Sequence, residues 1–360
     1  MIRIAAVGDL MLGDSAITVG FGVRSRYGGM RLAEVFRELS PRLSAADVAI
    51  GNLECVLSQG GEGRSRWARD QMRGDRAYAR VLREAGFSAI GVANNHALQH
   101  GEAAFWETVS ALREEGLLVI GLRGTEPWHT DPVTYTHSSG ATAAILGYSW
   151  RPRQYGHGRP PYAEVNPASV LADVARARAL TDSVVVSLHW GEEFVDQPSA
   201  EEVSLARALA EGGADLVLGH HPHVVRPFEL HGDSVIGYSL GNCATDMLWQ
   251  PALRRGALIE AALSPRPTDV RVCSIAVADD YRISVAREGV GVAPGSVLPL
   301  DADAYREVSG RAILAQRAAA YRYAASNANR YPPSVLASLF AATLRNKSLT
   351  AIRRLKGNVA

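Results

Sequence analysis

The chain of 360 residues has only three cysteines, Cys55, Cys243 and Cys273, and no Cys-x-x-Cys spacing. So sparse and odd a set excludes a disulfide framework as the organising device. No apolar run approaches the roughly 20 residues of a membrane-spanning helix. The opening MIRIAAVGDLMLGD meets Gly8-Asp9 too soon for a secretory h-region. A charge excess is missing as well. The formal net charge is +1, so no global attraction to nucleic acid or to a membrane surface is implied, and any anion site must be local. No internal repeat is visible. These absences predict a soluble chain, most simply a cytoplasmic one. The hydrophobic share of 47% and charged share of 21% are ordinary for a globular protein with one large domain or two modest ones.

What the chain does have is alternation. Apolar strand-like runs (IRIAAV at 2–7, DVAIGNLE at 47–54, SAIGVANNH at 88–96, LLVIGL at 117–122, TAAILGYSW at 142–150, SVVVSLHWG at 183–191, DLVLGHH at 215–221) alternate with segments of helical spacing at 29–43, 76–86, 102–116, 167–181 and 199–212. Gly86 and Gly116 close two of these helices in good C-cap positions. Beyond residue 234 the texture turns β-rich and hairpin-like. The pattern predicts a layered α/β fold with antiparallel strands added late. From about 301 two alanine-rich helices are expected, broken at Pro332-Pro333, the second basic and amphipathic. They read as a 301–360 extension packing on a 1–300 domain. A partner-binding or membrane-surface helix is the alternative.

The polar residues collect at strand ends. Residues 219–224 read GHHPHV, so His220, His221 and His223 sit where an apolar run gives way to a turn. Asp9 ends the first strand, Asn52-Leu53-Glu54 the second, Asn94-Asn95-His96 the third and His189 a later one. Each alone has a plain reading: a Gly-Asp turn, an Asn-Asn loop tip, a core histidine. Asp14 reads as a cap. Five strand ends of a layered α/β protein converge, however, and together they offer two carboxylates, an amide oxygen and several imidazoles. That mixed oxygen and nitrogen set suits Mn, Fe or Zn better than calcium. The donors exceed one tetrahedral shell, so two divalent ions are expected.

GDLMLGD, GNLE, AGFSAIGVANNHALQHG, VVSLHWGEEF, ADLVLGHHPHVV and YSLGN follow one another over roughly residues 1–250. This series resembles the CapA family, the poly-γ-glutamate capsule-synthesis proteins of the calcineurin-like metallophosphoesterase superfamily. The resemblance implies a four-layer αββα sandwich with a dinuclear centre. It implies metal ligation by Asp9, Glu54 (as the bridging carboxylate), Asn95, His189, His221 and His223. It also implies a catalytic His96 beside Asn95, and leaves His220 next to the substrate. The superfamily's first motif carries a histidine where this chain has Met11, which weakens one of the two ion positions. The family often has aspartate after the NNHAL segment, and here Gln99-His100 stand there.

Arg64, Arg66, Arg69, Arg73 and Arg76 crowd the segment after Glu54. The segment reads either as a solvated loop or as a lid in which Arg66 and Arg73 offer guanidinium forks to an anion. The expected activity is hydrolysis of a phosphate ester or anhydride by hydroxide held at the metals, in capsule-polymer or related biosynthesis. Two alternatives stand beside it: amide or acyl-phosphate chemistry on a glutamate-type polymer or metabolite, and a non-catalytic accessory role in polymer synthesis. The expected partners are an anionic small molecule or polymer, with a biosynthetic partner protein or a second copy of the chain as possible company. A capsule role calls for export or an anchor, which leaves room here for a cytoplasmic tailoring role.

Overall fold

The computed structural model describes residues 1–338 apart from 127, 152–153, 265, 287 and 293–296. The apolar runs become strands: β1 (Ile2–Leu10), β2 (Val48–Leu53), β3 (Ala89–Gly91), β4 (Leu118–Ile120), β5 (Val133–Thr136), β6 (Thr142–Ser149), β7 (Ser183–His189) and β8 (Leu216–His220). After them come β9 (Phe228–His231), β10 (Ser234–Gly237), β11 (Asn242–Ala244), β12 (Arg255–Ser264), β13 (Arg266–Val277) and β14 (Ile283–Val285). The longer helices are α1 (Tyr78–Glu84), α2 (Gly101–Glu114), α3 (Pro167–Leu180), α4 (Ala200–Glu211) and α5 (Ala302–Ser326).

One sheet has the order β14-β13-β12-β1-β2-β3-β4, with β11 also paired to β1. Its strands β1 to β4 run parallel, and β12 to β14 form the antiparallel meander expected of the late hairpin-like segments. The other sheet has the order β9-β10-β8-β7-β6-β5, parallel in its centre and antiparallel at both edges.

The residue alternation shows how the sheets stack. In β7, Val185 joins Ile145, Leu216 and Leu218 in an apolar cluster with Ile4, Val48, Ile50 and Ala89 of the first sheet. The two sheets therefore bury one face against each other. Val184 and Val186 point the opposite way, into a cluster with Val170 and Val174 of α3 and Val203 and Leu209 of α4. The outer face of the first sheet packs Val7, Leu10 and Ile90 against Val81 and Leu82 of α1 and Phe105, Val109 and Leu112 of α2. Strands covered on both faces are continuous apolar runs, which is why SVVVSLH shows no polar alternation.

Local signals explain the helix ends. Ser199 and Glu202 form a reciprocal capping box on α4. Asn166 caps α3, with Pro167 in its first turn. Gly86 has a φ of 101°, and a Cβ there would lie 2.6 Å from Ser44 Oγ, so only glycine fits.

The helix expected over 29–43 is broken. A 3-10 turn covers Gly29–Glu34, and a short helix starts afresh at Ser40–Ser44. Two causes are visible. Pro41 has no N–H to continue a helix, and the Val35 carbonyl is taken by the Ile283 N–H of β14 at 3.1 Å. The first C-terminal helix is present as α5. Residues 333–338 begin the second, and the rest of that expected helix lies outside the described residues. Among the described residues no helix is long and apolar enough to cross a membrane.

Candidate metal centre

Parallel pairing brings the strand ends together. The register sets Asp9 abreast of Asn52 on one side and Asn242 on the other. It also sets His189 abreast of His220. The pairing of β1 shifts register next to Asp9 on both sides, an irregularity of the kind that re-aims a side chain at a sheet rim.

Asp9, Glu54, Asn95, His189, His220, His221 and His223 all come into this one buried cluster. His220 Nδ1 lies 3.5 Å from Asp9 Oδ1 and His223 Nδ1 3.4 Å from Asp9 Oδ2. Glu54 Oε1 lies 3.4 Å from His189 Nε2 and 3.6 Å from His221 Nδ1, and Glu54 Oε2 lies 3.8 Å from His223 Nδ1. Two of the three groups of ligand atoms that fall within 4.8 Å of one another are Glu54, His189 and His221, and Asp9, Glu54 and His223. Glu54 belongs to both.

Surrounding amides aim the set. Asn52 Nδ2 donates to Asp9 Oδ1 at 2.8 Å and lies 3.2 Å from His189 Nδ1. Asn95 Oδ1 is 2.7 Å from His189 Nε2, and Asn242 Oδ1 is 3.0 Å from His223 Nδ1. Asn94 Nδ2 donates to the Leu53 carbonyl at 2.8 Å, tying the third strand end to the second. His221 and His223 have φ values of 95° and 58°, which non-glycine residues seldom adopt. Such strain costs of order 1–3 kcal/mol per residue and persists only where surrounding contacts impose it. Here the His221 N–H donates to Asp9 Oδ2 at 3.1 Å, and Asn242 Nδ2 donates to the His223 carbonyl at 3.2 Å.

Burial and mutual charge shift several groups of the cluster away from their ordinary values. Burial alone would raise the Asp9 carboxyl, but the adjacent imidazoles of His220 and His223 hold it well below the usual range. Burial pushes Glu54 well above the ordinary carboxylate value. Burial holds His189 and His221 well below the usual imidazole value. Against burial, the charges of Glu54 and Asp9 raise His223 to about 10. Both carboxylate oxygens of Glu54 and both ring nitrogens of His220 and His221 are buried without a hydrogen-bond partner. Buried polar atoms without partners are rare and costly. Carboxylate oxygens and imidazole nitrogens left bare together, with ligand atoms this close, fit divalent cations.

His96 stands at the rim. Its Nδ1 lies 2.6 Å from Gln99 Oε1, and an amide oxygen can only accept, so this nitrogen carries the proton. The other nitrogen, Nε2, faces Glu54 Oε1 at 4.0 Å. Burial holds His96 below its usual pKa. Neighbouring His100 is an anchor of the following loop: Nδ1 accepts from the Glu62 N–H at 3.0 Å, and Nε2 donates to the Gln71 carbonyl at 2.7 Å. Asp14 is a loop clasp, accepting from the Gly20 N–H at 2.9 Å and the Ser25 N–H at 3.0 Å.

The two arginines are not brought into the cluster. Arg73 is buried, and its guanidinium donates to the carbonyls of Arg69, Ser58 and Gln59 and to Asp70 at 2.8–3.1 Å. That is a loop staple, with its donors spent on the protein itself. Arg66 is exposed on the short helix Arg66–Asp70 and pairs with Asp70 at 3.3 Å. Sequence reasoning also missed a group. Glu193, from the loop after β7, places a carboxylate oxygen within 4.8 Å of ligand atoms of His221 and His223. The HWGEE run names it only in hindsight, since a loop has no periodicity to show which of two adjacent glutamates turns inward.

Known proteins are similar to much of the chain. The capsule biosynthesis protein CapA of Bacillus anthracis is 30% identical over 260 residues, covering 69% of this chain and 61% of that protein. The PGA biosynthesis protein CapA of Bacillus subtilis is 28% identical over 267 residues, covering 73% of this chain and 68% of the other. Among solved structures, the 5'-nucleotidase of Candida albicans SC5314 superposes with a TM-score of 0.41 at 10% identity, over 91% of this chain and 57% of that one. Residues 3–247 match the model of the bacterial capsule synthesis protein PGA_cap family, and the chain belongs to that family.

Proposed function

We propose that this chain is a two-metal hydrolase that cleaves a phosphate ester or anhydride in the making of a capsule-type or related anionic polymer. The observation that carries the reading is the set of bare, buried donor atoms on Glu54, His220 and His221 beside Asp9 and His223. Family membership supplies the biosynthetic setting. The α/β chain with two sheets is read as a four-layer helix–sheet–sheet–helix sandwich, supported by its three apolar clusters. Residues 1–300 are taken as the hydrolase domain and 301–360 as an extension packed on it.

In this reading Asp9, Glu54 and His223 would hold one ion, and Glu54, Asn95, His189 and His221 would hold the other. When bound, such a pair of ions supplies a nucleophilic oxygen at neutral pH and offsets charge on a phosphoryl group. The remaining work falls to the chain. Asn52 and Asn242 hold Asp9 and His223 in the required rotamers. Gln99 turns Nε2 of His96 toward the cluster, and that atom would carry the proton passed to the leaving oxygen. An arriving phosphoryl anion offsets the burial that otherwise keeps His96 neutral. His220 lies against the same Asp9 oxygen, Oδ1, to which Asn52 donates. The substrate is an anionic small molecule or polymer.

Turnover on phosphomonoesters, phosphodiesters and γ-glutamyl amides tests this reading. It expects phosphate-ester cleavage that needs an added divalent ion and falls by about 10²-fold or more in His96→Ala. Amide cleavage without phosphate-ester turnover would replace it with carbonyl chemistry. No turnover on any class would leave an accessory role.

A further inference from the structure

The loop from Trp190 to Val195 is anchored at almost every residue. The Trp190 N–H donates to the His220 carbonyl at 3.1 Å, and its indole N–H to the Tyr238 carbonyl at 3.0 Å. Gly191 has a φ of 76°, and a Cβ there would lie 2.4 Å from Glu202 Oε1 and 2.6 Å from an Arg226 nitrogen. The Glu192 carboxylate is drawn away to Arg151 at 2.7 Å, while its N–H donates to the Tyr305 hydroxyl of α5 at 2.9 Å. Phe194 has a φ of 69°, and its N–H donates to the Pro222 carbonyl at 2.8 Å. Arg226, itself fully buried, donates to the Val195 carbonyl at 2.7 Å, the Glu192 carbonyl at 3.3 Å and Glu202 at 2.6 Å. A strained residue, a glycine that admits no side chain and a buried guanidinium therefore define one short loop. The result is that Glu192 faces Arg151, and Glu193 faces His221 and His223.

Glu193 differs from the other donors in one respect. Asp9, Glu54, His189, His221 and His223 are buried, whereas Glu193 is partly exposed. It stands at the open side of the cluster. The Asp9–Glu54–His223 group offers three protein donors, fewer than the four of the simplest closed divalent site. We infer that Glu193 is a metal ligand, a third carboxylate that enters from the open side against His221 and His223 and closes the centre over its ions. This rests on reading the cluster as a metal centre. Because Arg226 and Tyr305 fix the loop, the carboxylate is positioned before any ion arrives, and its loss acts on ion retention more than on folding.

The test compares the full-length wild type, Glu193→Gln, Glu193→Asp and His221→Ala/His223→Ala after loading with Mn²⁺ or Zn²⁺. Elemental analysis gives the ions held per chain, and a chromogenic chelator gives the rate at which they are stripped. Glu193→Gln is expected to lose metal about tenfold faster or more, on the scale of losing a group that supports a metal site. Glu193→Asp, which keeps the charge, should fall between Glu193→Gln and wild type. Thermal melts identify a variant that has merely unfolded. If wild type holds metal, the double histidine variant does not, and Glu193→Gln matches wild type in content and stripping rate, the inference is overturned while the centre stands. If wild type itself takes up neither ion, the centre falls and Glu193 with it.

Discussion

Asp246 shows how much a single carboxyl can carry. It is fully buried; its Oδ2 accepts from the Ser15 N–H at 2.9 Å and from the Thr18 hydroxyl, and its Oδ1 has no partner. Burial, with the nearby charge of Asp14, raises its pKa from 3.8 to about 7. The folded chain thus keeps a proton that the unfolded chain releases. The stability this confers is full below the unfolded value and is lost as pH climbs through about 7. Asp246→Asn keeps the shape and cannot ionise. Urea unfolding at pH 5 and pH 8 should show wild type losing stability relative to the variant as pH rises, and parallel behaviour would contradict the assignment. No sequence signal marks this residue, because Thr-Asp-Met after a strand gives no hint that the Ser15–Thr18 turn closes over it. The metal-type residues were far more legible. Asp9, Glu54, Asn95, His189, His221 and His223 each lie at or just beyond the end of an apolar run, so strand boundaries brought them to one edge, while the selection of these six as ligands came from the family resemblance. Arg73 was not legible as a staple, since a charged side chain in a loop does not disclose that backbone carbonyls surround it.

At the scale of elements, parallel strands do the positioning. Their C-terminal ends share one edge, so each loop that follows a strand delivers its first polar residue to the same place. This makes the layer between the sheets a support for the cluster as well as a core. Leu218 is fully buried there, two residues before His220. Leu218→Ala should cost about 2–5 kcal/mol of stability, as measured by denaturant unfolding. A loss below about 1 kcal/mol would mean that the sheets do not pack as tightly as their alternation implies. The same alternation was readable in SVVVSLH and ADLVLGH, where continuous apolar character announced strands covered on both faces. It failed over 29–43, where helical spacing was present but Pro41 and the capture of the Val35 carbonyl by Ile283 broke the ladder. A tertiary hydrogen bond from a residue some 250 positions away is not visible in local periodicity.

Across the whole molecule, α5 is more than an appendage. Tyr305 accepts from the Glu192 N–H and from Arg226, and Gln316 accepts from the Trp249 indole at 3.0 Å, so the C-terminal helix holds both the loop that carries Glu193 and the segment around Trp249. The family match ends at residue 247, so this brace belongs to the part of the chain beyond it. Everything proposed for the site depends on the strand-end cluster holding two divalent ions. Elemental analysis of the purified protein, beside His221→Ala/His223→Ala, tests it most directly. About two transition-metal ions per chain, absent from the double variant, is the result the two-ion reading of Glu54 predicts. Absence of bound metal in the wild type, even after incubation with Mn²⁺, Fe²⁺ or Zn²⁺, would contradict it.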